Sequence, residues 1–334
     1  MSDPVPAPPN LGVVVIGRNE GERLRRCLES IIRNVRLVVY VDSGSTDGSV
    51  EMARGMGAAV VELDSRRPFN AGRARTEGFR HLHALLPDLQ YVQFVDGDCE
   101  VVEGWLDKAA AFLDANPDIA VVAGRRRERY PERSIYNTFC AIEWDSHPVG
   151  EARACGGDAM MRVAAFTAVG CYRFDLVAGE EPELCLRLRA AGWRIWFLPL
   201  ELTLHDAAMT RFGQFWRRAV RSGYGCVQGV HLHGAPPEYH CVRGMVSAWF
   251  WALAIPLTTL LLVPAIGAWA LMLLLIYPLQ IVRLALHGRR RRMRENWWWA
   301  VFAVVIKFPN FVGQVQCLTH QILRRRPQLI EYKS

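Results

Sequence analysis

The sequence predicts an α/β domain, built on a mostly parallel sheet flanked by helices and followed by a C-terminal helical membrane region. Three observations support this fold class. Short β-branched runs alternate with segments of helical spacing over residues 11–124, as βαβ units require. Small polar and acidic residues follow three of the predicted strands. Residues 245–286 carry a single charge, that of Arg283, so this segment suits a lipid environment.

The elements of the predicted sheet follow one another along the chain. The predicted strands are 11–16, 37–41, 58–63, 91–95, 120–124 and, later, 195–200. The predicted helices between them are 24–32, 49–55, 71–86 and 105–113. Because strands alternate with helices, we expect neighbouring strands to be parallel. Residues 125–154 are polar and aromatic without a clear period, and no element is predicted there.

Composition divides the chain into three parts. Residues 1–10 are proline-rich and read as a flexible N-terminus, residues 11–240 as one globular domain, and residues 241–334 as a membrane region. The N-terminus has neither the basic patch nor the apolar run of a signal peptide. We therefore expect the globular domain to stay in the cytoplasm, and the protein to be a multi-pass component of the inner (cytoplasmic) membrane.

The uncharged segment is long enough for two membrane helices. Its 42 residues would form roughly 60 Å of helix, about twice the hydrocarbon thickness of a bilayer. We predict helices at 245–263 and 265–286, hinged near Pro264. The basic run RRRRMR at 289–294 follows them, and the positive-inside rule places such a run on the cytoplasmic side.

A third apolar segment, at 297–318, is interrupted by Lys307, Pro309, Asn310 and two glutamines, and is followed by three arginines at 324–326. A full crossing would put those arginines outside the cell, against the positive-inside rule. We predict an interfacial or re-entrant helix, with a third crossing as the alternative.

Charge and cysteine content narrow the choice of partners. Residues 241–334 hold 12 Lys and Arg against 2 Asp and Glu. These cations lie beside apolar runs, so an anionic lipid membrane is a better partner than nucleic acid. The nine cysteines include no C-x-x-C pair, which argues against a tetrahedral zinc site and for reduced thiols.

Three polar motifs follow strands one, two and four of the predicted sheet. They are RNE at 18–20, DSGSTD at 42–47 and DGD at 96–98. Ligands of open α/β sheets gather at the carboxyl ends of strands, and paired carboxylates suit a hard divalent cation that holds a diphosphate. Each motif alone is an ordinary loop, so their order along one sheet carries the interpretation.

The ordered set resembles family 2 glycosyltransferases. The segments that carry the resemblance are VVIGRNE at 14–20, DSGSTD at 42–47, DGD at 96–98, GGD at 156–158 and GEEPELCLRL at 179–188. The GGD segment is followed by an apolar, helix-like run. The resemblance covers about residues 11–230, and it implies a GT-A nucleotide-binding fold. It also implies that Asp42 holds the nucleotide base, Asp98 the metal and Asp96 the ribose or metal side.

The same resemblance places the catalytic carboxylate at Glu181, although this chain has Glu180-Glu181 where the family usually has Glu-Asp. Which of the two glutamates is the base stays open. These acids could instead complement the positive N-terminal end of the helix that follows. His205 falls where family members place a histidine near the metal, and a purely structural histidine is the alternative.

We assign the remaining site residues from the same motifs. The expected nucleotide-sugar ligands are Arg18, Asn19, Glu20, Asp42, Ser43, Arg73, Asp96, Gly97, Gly157 and Arg217. The expected metal ligands are Asp98, Asp96 and His205, and the metal is Mg²⁺ or Mn²⁺. Arg217 lies in QFWRR at 214–218, which resembles the Gln-x-x-Arg-Trp signature of processive members except that Arg218 replaces the tryptophan.

The predicted reaction transfers a sugar from a nucleoside-diphosphate sugar, with UDP as the expected nucleotide, to an acceptor hydroxyl. Inversion at the anomeric carbon is a family-level implication. From the membrane region we expect a lipid-linked saccharide acceptor in surface polysaccharide biosynthesis. One alternative is a polyprenyl-phosphate glycosyltransferase, which would need no strong base. Others are a catalytically silent membrane scaffold and a nucleotidyltransferase.

Overall fold

The computed structural model describes residues 10–145, 148–287 and 293–325, with the backbone alone for Met293. Three parts of the predictions above lie outside the described residues: residues 1–9, Arg289 to Arg292 of the basic run, and Arg326. The described chain forms two compact units. The first unit holds residues 10–129, 144–175 and 180–207, and the second holds 130–143, 176–179 and the described residues from 208 onwards.

A nine-stranded sheet forms the first unit. Its strands are β1 Leu11–Gly17, β2 Val38–Asp42, β3 Ala59–Glu62, β4 Tyr91–Asp96, β5 Cys99–Val101, β6 Ile119–Glu128, β7 Gly150–Ala152, β8 Ala159–Arg162 and β9 Arg194–His205. They lie in the order β3-β2-β1-β4-β8-β6-β9-β5, with β7 paired to β9. The sheet confirms the predicted α/β class.

The N-terminal half of the sheet is parallel, as predicted. β1 pairs in parallel with β2 on one side and β4 on the other, and β2 pairs in parallel with β3. The register sets Gly17 beside Asp42 and Ile16 beside Asp96. The two acidic motifs therefore leave the sheet at the same edge, on either side of the end of β1.

The second half of the sheet is mixed. β8 is antiparallel to both β4 and β6, and β9 is antiparallel to β5 and β7 but parallel to β6. Residues 159–162, which we expected to be helix-like, form β8 before a short helix begins at Val163. Ala159, Met160 and Met161 are fully buried. A continuous apolar run of this kind cannot be told from a buried helix by its period.

Helices cover both faces of the sheet. In the first unit they are α1 Glu22–Ile31, α2 Ser49–Gly55, α3 Ala71–Leu85, α4 Trp105–Ala115, α6 Val163–Ala168 and α7 Glu180–Ala190. Alternate residues of β1 face opposite layers, as the two-residue period of a strand requires. Val13 and Val15 pack with α1 and α4, whereas Val14 packs with α3 and α7.

The second unit is helical. Its helices are α5 Ile135–Trp144, α8 Phe212–His233, α9 Val242–Trp249, α10 Ile255–Ile266, α11 Ile276–His287, α12 Met293–Val305 and α13 Lys307–Ile322. Phe139, Phe215 and Phe302 join α5, α8 and α12, with ring centroids 4.9 to 5.8 Å apart. Gly313 lets α13 approach α8 closely, because a Cβ there would lie 2.0 Å from the Val220 carbonyl oxygen.

Residues Val242–His287 form what we call the apolar hairpin. The helix breaks at Gly267, whose φ of 62° is in the left-handed region, three residues beyond Pro264. Trp251 lies before this break and Tyr277 after it, and the Tyr277 hydroxyl donates to the Trp251 carbonyl oxygen at 2.5 Å. A straight helix would separate those residues by about 39 Å, so the chain turns back on itself.

The apolar hairpin exposes large apolar side chains along both legs, including Leu260, Leu261, Trp269 and Leu279. Within the part of the chain that the structure describes, it is one of two helical stretches, with Arg294–Ile322, that are long and apolar enough to cross a membrane. The second stretch is divided by a break at Ile306 into α12 and α13, and its prediction as an interfacial or re-entrant helix stays a prediction.

Candidate active site

The DGD turn after β4 brings two carboxylates to the sheet edge. The Gly97 amide donates to the Ile16 carbonyl oxygen at 2.8 Å, so the turn closes tightly against the end of β1. A Cβ at Gly97 would lie 3.1 Å from that same oxygen. Asp98 is buried, whereas the Asp96 side chain keeps about a quarter of its surface exposed (28%).

Asp98 meets His205 across neighbouring strands. β5 pairs antiparallel with β9 so that Cys99 lies opposite His205, and Asp98 Oδ2 is 2.8 Å from His205 Nε2. The other ring nitrogen, Nδ1, is buried and has no hydrogen-bond partner among the described residues. The indole of Trp144 packs against the imidazole, with ring centroids 4.2 Å apart, and this contact holds the ring in place.

The ligand atoms of Asp98, Cys99 and His205 lie within 4.8 Å of one another. The Asp98 carboxylate can offer one oxygen and the His205 imidazole one nitrogen, and such ligands fit a divalent cation. Burial, with the nearby Asp158 and Asp98, raises the pKa of the Cys99 thiol well above its ordinary value. The Cys99 thiol is therefore protonated while no cation is bound, and the carboxylate of Asp98 and the imidazole of His205 are the better oxygen and nitrogen ligands for Mg²⁺ or Mn²⁺.

Asp96 lies between two guanidinium groups. Arg75 Nη2 is 2.8 Å from Asp96 Oδ1, and Arg126 Nη2 is 3.7 Å from Oδ2. Although burial opposes it, the attraction of Arg75 and then Arg126 lowers the pKa of Asp96. Asp96 is therefore an anion at neutral pH, and it also belongs to a second group of potential metal ligands, with Cys99 and Asp158.

Asp158 fixes the floor of the site. Its carboxylate accepts from the Asp96 amide at 3.0 Å and from the Thr203 hydroxyl at 2.8 Å, and pairs with Arg126 at 2.9 Å. Our site prediction omitted Asp158 although the GGD motif contains it. It also omitted Arg126 and Trp144, which lie in a segment without periodicity and so gave no signal.

Arg75 holds the carboxylates together. This buried guanidinium contacts Asp96 at 2.8 Å, Glu180 at 3.1 Å and Glu181 at 3.0 Å. The face of Tyr172 lies 5.6 Å from it. Arg75 is in α3 and the two glutamates begin α7, so a single cation joins the end of β4 to the start of α7.

Glu180 and Glu181 share Arg75 but differ in their surroundings. The Glu181 side chain is 17% exposed and that of Glu180 6%. Burial and the neighbouring Glu180 raise the pKa of Glu181 to about 7, with Arg75 opposing them. A carboxylate with this pKa can take a proton near neutral pH, and the role of Glu181 as the base stays a prediction.

Gly157 lies where these groups converge. A Cβ at this position would come within 2.3 Å of Arg75 Nη2, 3.0 Å of Asp96 Oδ2 and 3.2 Å of Glu181 Oε1. Only glycine leaves room for the three charged groups. The predicted site residue Gly157 thus contributes space rather than a side chain.

The loops after β1 and β2 form the adjoining part of the site. Asp42 is buried, and it accepts from the amides of Gly44 and Ser45 at 2.8 Å each and from the Tyr40 hydroxyl at 2.9 Å. The backbone N–H of Asn19 donates to Ser45 Oγ at 2.9 Å, and the side-chain Oδ1 of Asn19 accepts from the backbone N–H of Thr46 at 2.8 Å. These bonds join the loops into one rigid surface.

Four further residues were predicted as nucleotide-sugar ligands, and they differ in exposure and in their contacts. Arg18 is exposed with its guanidinium 5.8 Å from the centre of the Phe69 ring, and Glu20 is buried and pairs with Arg23 at 2.8 Å. Ser43, half-buried, donates its amide to the Gly17 carbonyl oxygen at 3.1 Å. Arg217 is exposed on α8 in the second unit. Their roles in donor binding stay predictions.

Arg73 binds the backbone of the loop that precedes its own helix. Its Nη1 donates to the carbonyl oxygens of Asp64, Arg67 and Pro68, at 3.0 to 3.3 Å. These bonds hold the loop that precedes α3. The guanidinium that reaches the carboxylates belongs instead to Arg75, two residues further along the same helix.

Comparison with known proteins identifies relatives with named activities. Residues 12–170 match the family model described as glycosyl transferase family 2. The glycosyltransferase AglE of Haloferax volcanii is 23% identical over 232 residues, which cover 66% of this chain and 74% of that protein. The succinoglycan biosynthesis protein ExoA of Rhizobium meliloti is 27% identical over 266 residues, which cover 75% and 77%.

Among solved structures, the chain resembles the mannosyltransferase PcManGT from Pyrobaculum calidifontis, in complex with GDP-Man and Mn²⁺. The TM-score is 0.62 at 20% identity, and the match covers 95% of this chain and 90% of that chain. This likeness shows the fold.

Proposed function

Residues 12–170 of this chain are a family 2 glycosyltransferase domain within a GT-A fold, and from that premise we propose a membrane-associated, metal-dependent enzyme. It transfers a sugar from a nucleoside-diphosphate donor, expected to be a UDP-sugar, to an acceptor hydroxyl. The observation that carries the proposal is the convergence of Asp96, Asp98, His205 and Glu181 at one sheet edge.

The donor side is assigned to the loops after β1, β2 and β4. Asp42 and Asn19 shape the rigid surface on which the nucleoside lies, and Asp98 with His205 and Asp96 would hold Mg²⁺ or Mn²⁺. When bound, such a cation neutralises the charge that develops on the leaving diphosphate. The mannosyltransferase PcManGT in its complex with GDP-Man and Mn²⁺ supports this assignment by analogy.

The acceptor side is assigned to the start of α7. Glu181 accepts the proton of the acceptor hydroxyl as that oxygen attacks the anomeric carbon from the face opposite the diphosphate, which inverts the configuration. Arg75 keeps Glu181 and Asp96 in place through contacts of 3.0 and 2.8 Å. Gly157 leaves the space that this arrangement needs.

The proposed acceptor is a lipid-linked saccharide, in surface polysaccharide biosynthesis. Two observations support it. The apolar hairpin offers a surface suited to a bilayer, and the relative ExoA is named for succinoglycan biosynthesis. An enzyme tethered to the membrane meets a lipid-linked acceptor at a high effective concentration.

Titration calorimetry tests the donor site directly. We expect the detergent-purified protein to bind UDP in the presence of Mn²⁺, and to lose at least about tenfold in affinity when the metal is chelated, because a cation held by Asp98, Asp96 and His205 would attract the diphosphate. GDP and TDP titrations under the same conditions serve as specificity controls. Absence of binding to all three nucleotides would remove the enzyme proposal and favour the membrane scaffold.

We also propose that the apolar hairpin crosses the cytoplasmic membrane twice, in a multi-pass protein whose catalytic domain lies in the cytoplasm. The leg from Arg243 to Gly267 would be about 36 Å long as a helix, longer than the roughly 30 Å hydrocarbon layer. The described residues from 241 to 325 contain one carboxylate, Glu295, and several cations. The exposed Arg243 and Arg283 lie near the two ends of the hairpin, where they can meet anionic headgroups.

Labelling of an introduced cysteine tests this topology. Ala268→Cys places a thiol beside the hairpin turn, and we expect a membrane-impermeant maleimide to label it in intact bacterial cells, above the wild-type background. Ser65→Cys, in an exposed loop of the first unit, should be labelled only after permeabilisation. If Ala268→Cys stays unlabelled until the cells are permeabilised, the hairpin does not cross.

A further inference from the structure

Two cysteines meet at the joint between α8 and α9. The Cys226 thiol donates to the Cys241 carbonyl oxygen, with its Sγ 3.4 Å from that oxygen, so the two residues are direct neighbours. Cys226 is in α8, and Cys241 is the residue directly before α9. Both thiols are half-buried, so small reagents can reach them. The pair belongs to the second unit and has no part in the proposed transfer reaction.

The surroundings of Cys241 favour a reactive thiolate. Cys241 caps the N-terminus of α9, where the helix dipole stabilises negative charge. The neighbouring thiol of Cys226 and then the adjacent His240 lower the pKa of Cys241, against the effect of burial. The neighbouring Cys241 and burial raise the pKa of Cys226. One thiol is thus poised to attack and the other to resolve.

Packing in this region leaves room for the pair. Gly229, on α8 opposite Cys241, has no side chain, and a Cβ there would lie 3.3 Å from Cys241 Sγ and 2.9 Å from the His240 ring. The Cys241 backbone has a φ of 61°, a left-handed conformation that is uncommon for a residue with a side chain. This conformation turns the chain so that the thiol faces α8.

Another close thiol pair has a different environment. Cys155 and Cys185 lie 3.5 Å apart in the first unit, but they are 5% and 0% exposed. Burial shields them from a dissolved oxidant, and the Cys155 thiol stays protonated because its hydrogen bond with Cys185 and its burial raise its pKa well above the ordinary value. Cys171 is half-buried, but its pKa is raised by burial.

We propose that Cys226 and Cys241 form a redox modification site that closes to a disulfide by exchange with a low-molecular-weight disulfide such as oxidised glutathione. The Cys241 thiolate attacks one sulfur of that disulfide, which breaks its S–S bond and releases one glutathione thiolate. Cys226 then loses its proton and attacks the Cys241 sulfur of the mixed disulfide. The second glutathione leaves, so two protein thiols are oxidised as one disulfide is reduced.

Disulfide formation would join α8 to the start of the apolar hairpin. The bond would close a loop from residue 226 to residue 241, which contains the end of α8 up to His233 and the connection to α9. A covalent tie at this point restricts the joint through which α8 continues into the hairpin. The site therefore makes this connection responsive to the thiol–disulfide balance of its compartment.

The test treats the full-length, detergent-purified protein with oxidised glutathione, alkylates the remaining thiols and maps them by mass spectrometry. We expect two thiols to be lost and a cross-linked peptide pair containing Cys226 and Cys241, reversed by dithiothreitol. In Cys226→Ser we expect a stable glutathione adduct on Cys241. In Cys241→Ser we expect neither a disulfide nor an adduct on Cys226.

The pH dependence of the alkylation rate distinguishes a thiolate at Cys241 from an ordinary thiol. Between pH 8 and pH 6 we expect the alkylation rate of Cys241 to fall less than about threefold, whereas that of Cys171 falls about a hundredfold, as for any thiol whose pKa lies above 8. The proposal is overturned if Cys241 shows the same pH dependence as Cys171, if oxidation joins other cysteines, or if the purified protein carries stoichiometric zinc on this pair.

Discussion

Replacement of Glu181 by glutamine is expected to lower kcat by about 10²- to 10⁴-fold, the contribution typical of a general base. Glutamine keeps the shape of the side chain but cannot take the acceptor proton. Nucleotide binding should change less than about threefold, because the cation and the nucleobase of the donor are assigned to residues other than Glu181. The measurement is kcat and KM with the nucleotide-sugar that titration selects, alongside the affinity for the nucleoside diphosphate.

The control for this substitution is Glu183→Gln. This substitution removes the same charge from the first turn of α7, but from a carboxylate that pairs with Arg187 at 2.7 Å. We expect this variant to retain kcat even where it lowers stability. If Glu181→Gln also retains kcat, the acceptor needs no base, and the polyprenyl-phosphate glycosyltransferase becomes the better description.

The pH dependence of the reaction follows from the same residue. Burial and Glu180 raise the pKa of Glu181 to about 7, and only the deprotonated carboxylate is a base. Activity should therefore rise with pH up to about 7, roughly tenfold per unit on the acid side, and level off above it. In Glu181→Gln that acid limb should disappear from the residual activity. An unchanged limb in the variant would assign the titration to another group.

Much of the catalytic geometry follows from local sequence. Asp42 and Asp96 end strands whose β-branched runs predict buried, parallel neighbours, so their shared position at one sheet edge follows from the strand order. The alternation of strands and helices is a local property of the chain. For this reason the parallel half of the sheet and its motifs were predicted correctly.

The remaining contacts depend on pairing between distant parts of the chain. Arg126 reaches Asp158 and Asp96 because β6 lies next to β8 and β9, and no periodicity within residues 125–154 reveals that arrangement. Trp144 reaches His205 from the end of a helix that the sequence did not predict. Arg73 and Arg75 both lie on α3, but their side chains point in different directions because two residues of a helix correspond to a rotation of about 200°. A sequence motif does not show which of the two arginines faces the carboxylates.

Replacement of Asp98 by asparagine should abolish the dependence of nucleotide binding on metal. Asparagine preserves the size of the side chain and its contact with His205, now 2.8 Å, but it removes the negative charge that a hard cation requires. We expect the Mn²⁺-dependent gain in UDP affinity to fall by at least about tenfold and kcat by at least about a hundredfold, since even residues that only support a metal ligand contribute 10- to 100-fold.

Two measurements and a control make the Asp98 result decisive. Titration of UDP with and without Mn²⁺ gives the coupling between metal and nucleotide, and the Mn²⁺ paramagnetic resonance spectrum reports metal binding without reference to turnover. Asp64→Asn, in a loop where the carboxylate contacts Arg66, should behave as wild type. If Asp98→Asn binds Mn²⁺ and UDP as tightly as the wild type, the cation lies elsewhere, with Asp96 and Asp158 as the alternative carboxylates. If Asp98→Asn loses the metal and Asp64→Asn retains it, Asp98 is assigned as a ligand of the cation, next to His205 at 2.8 Å.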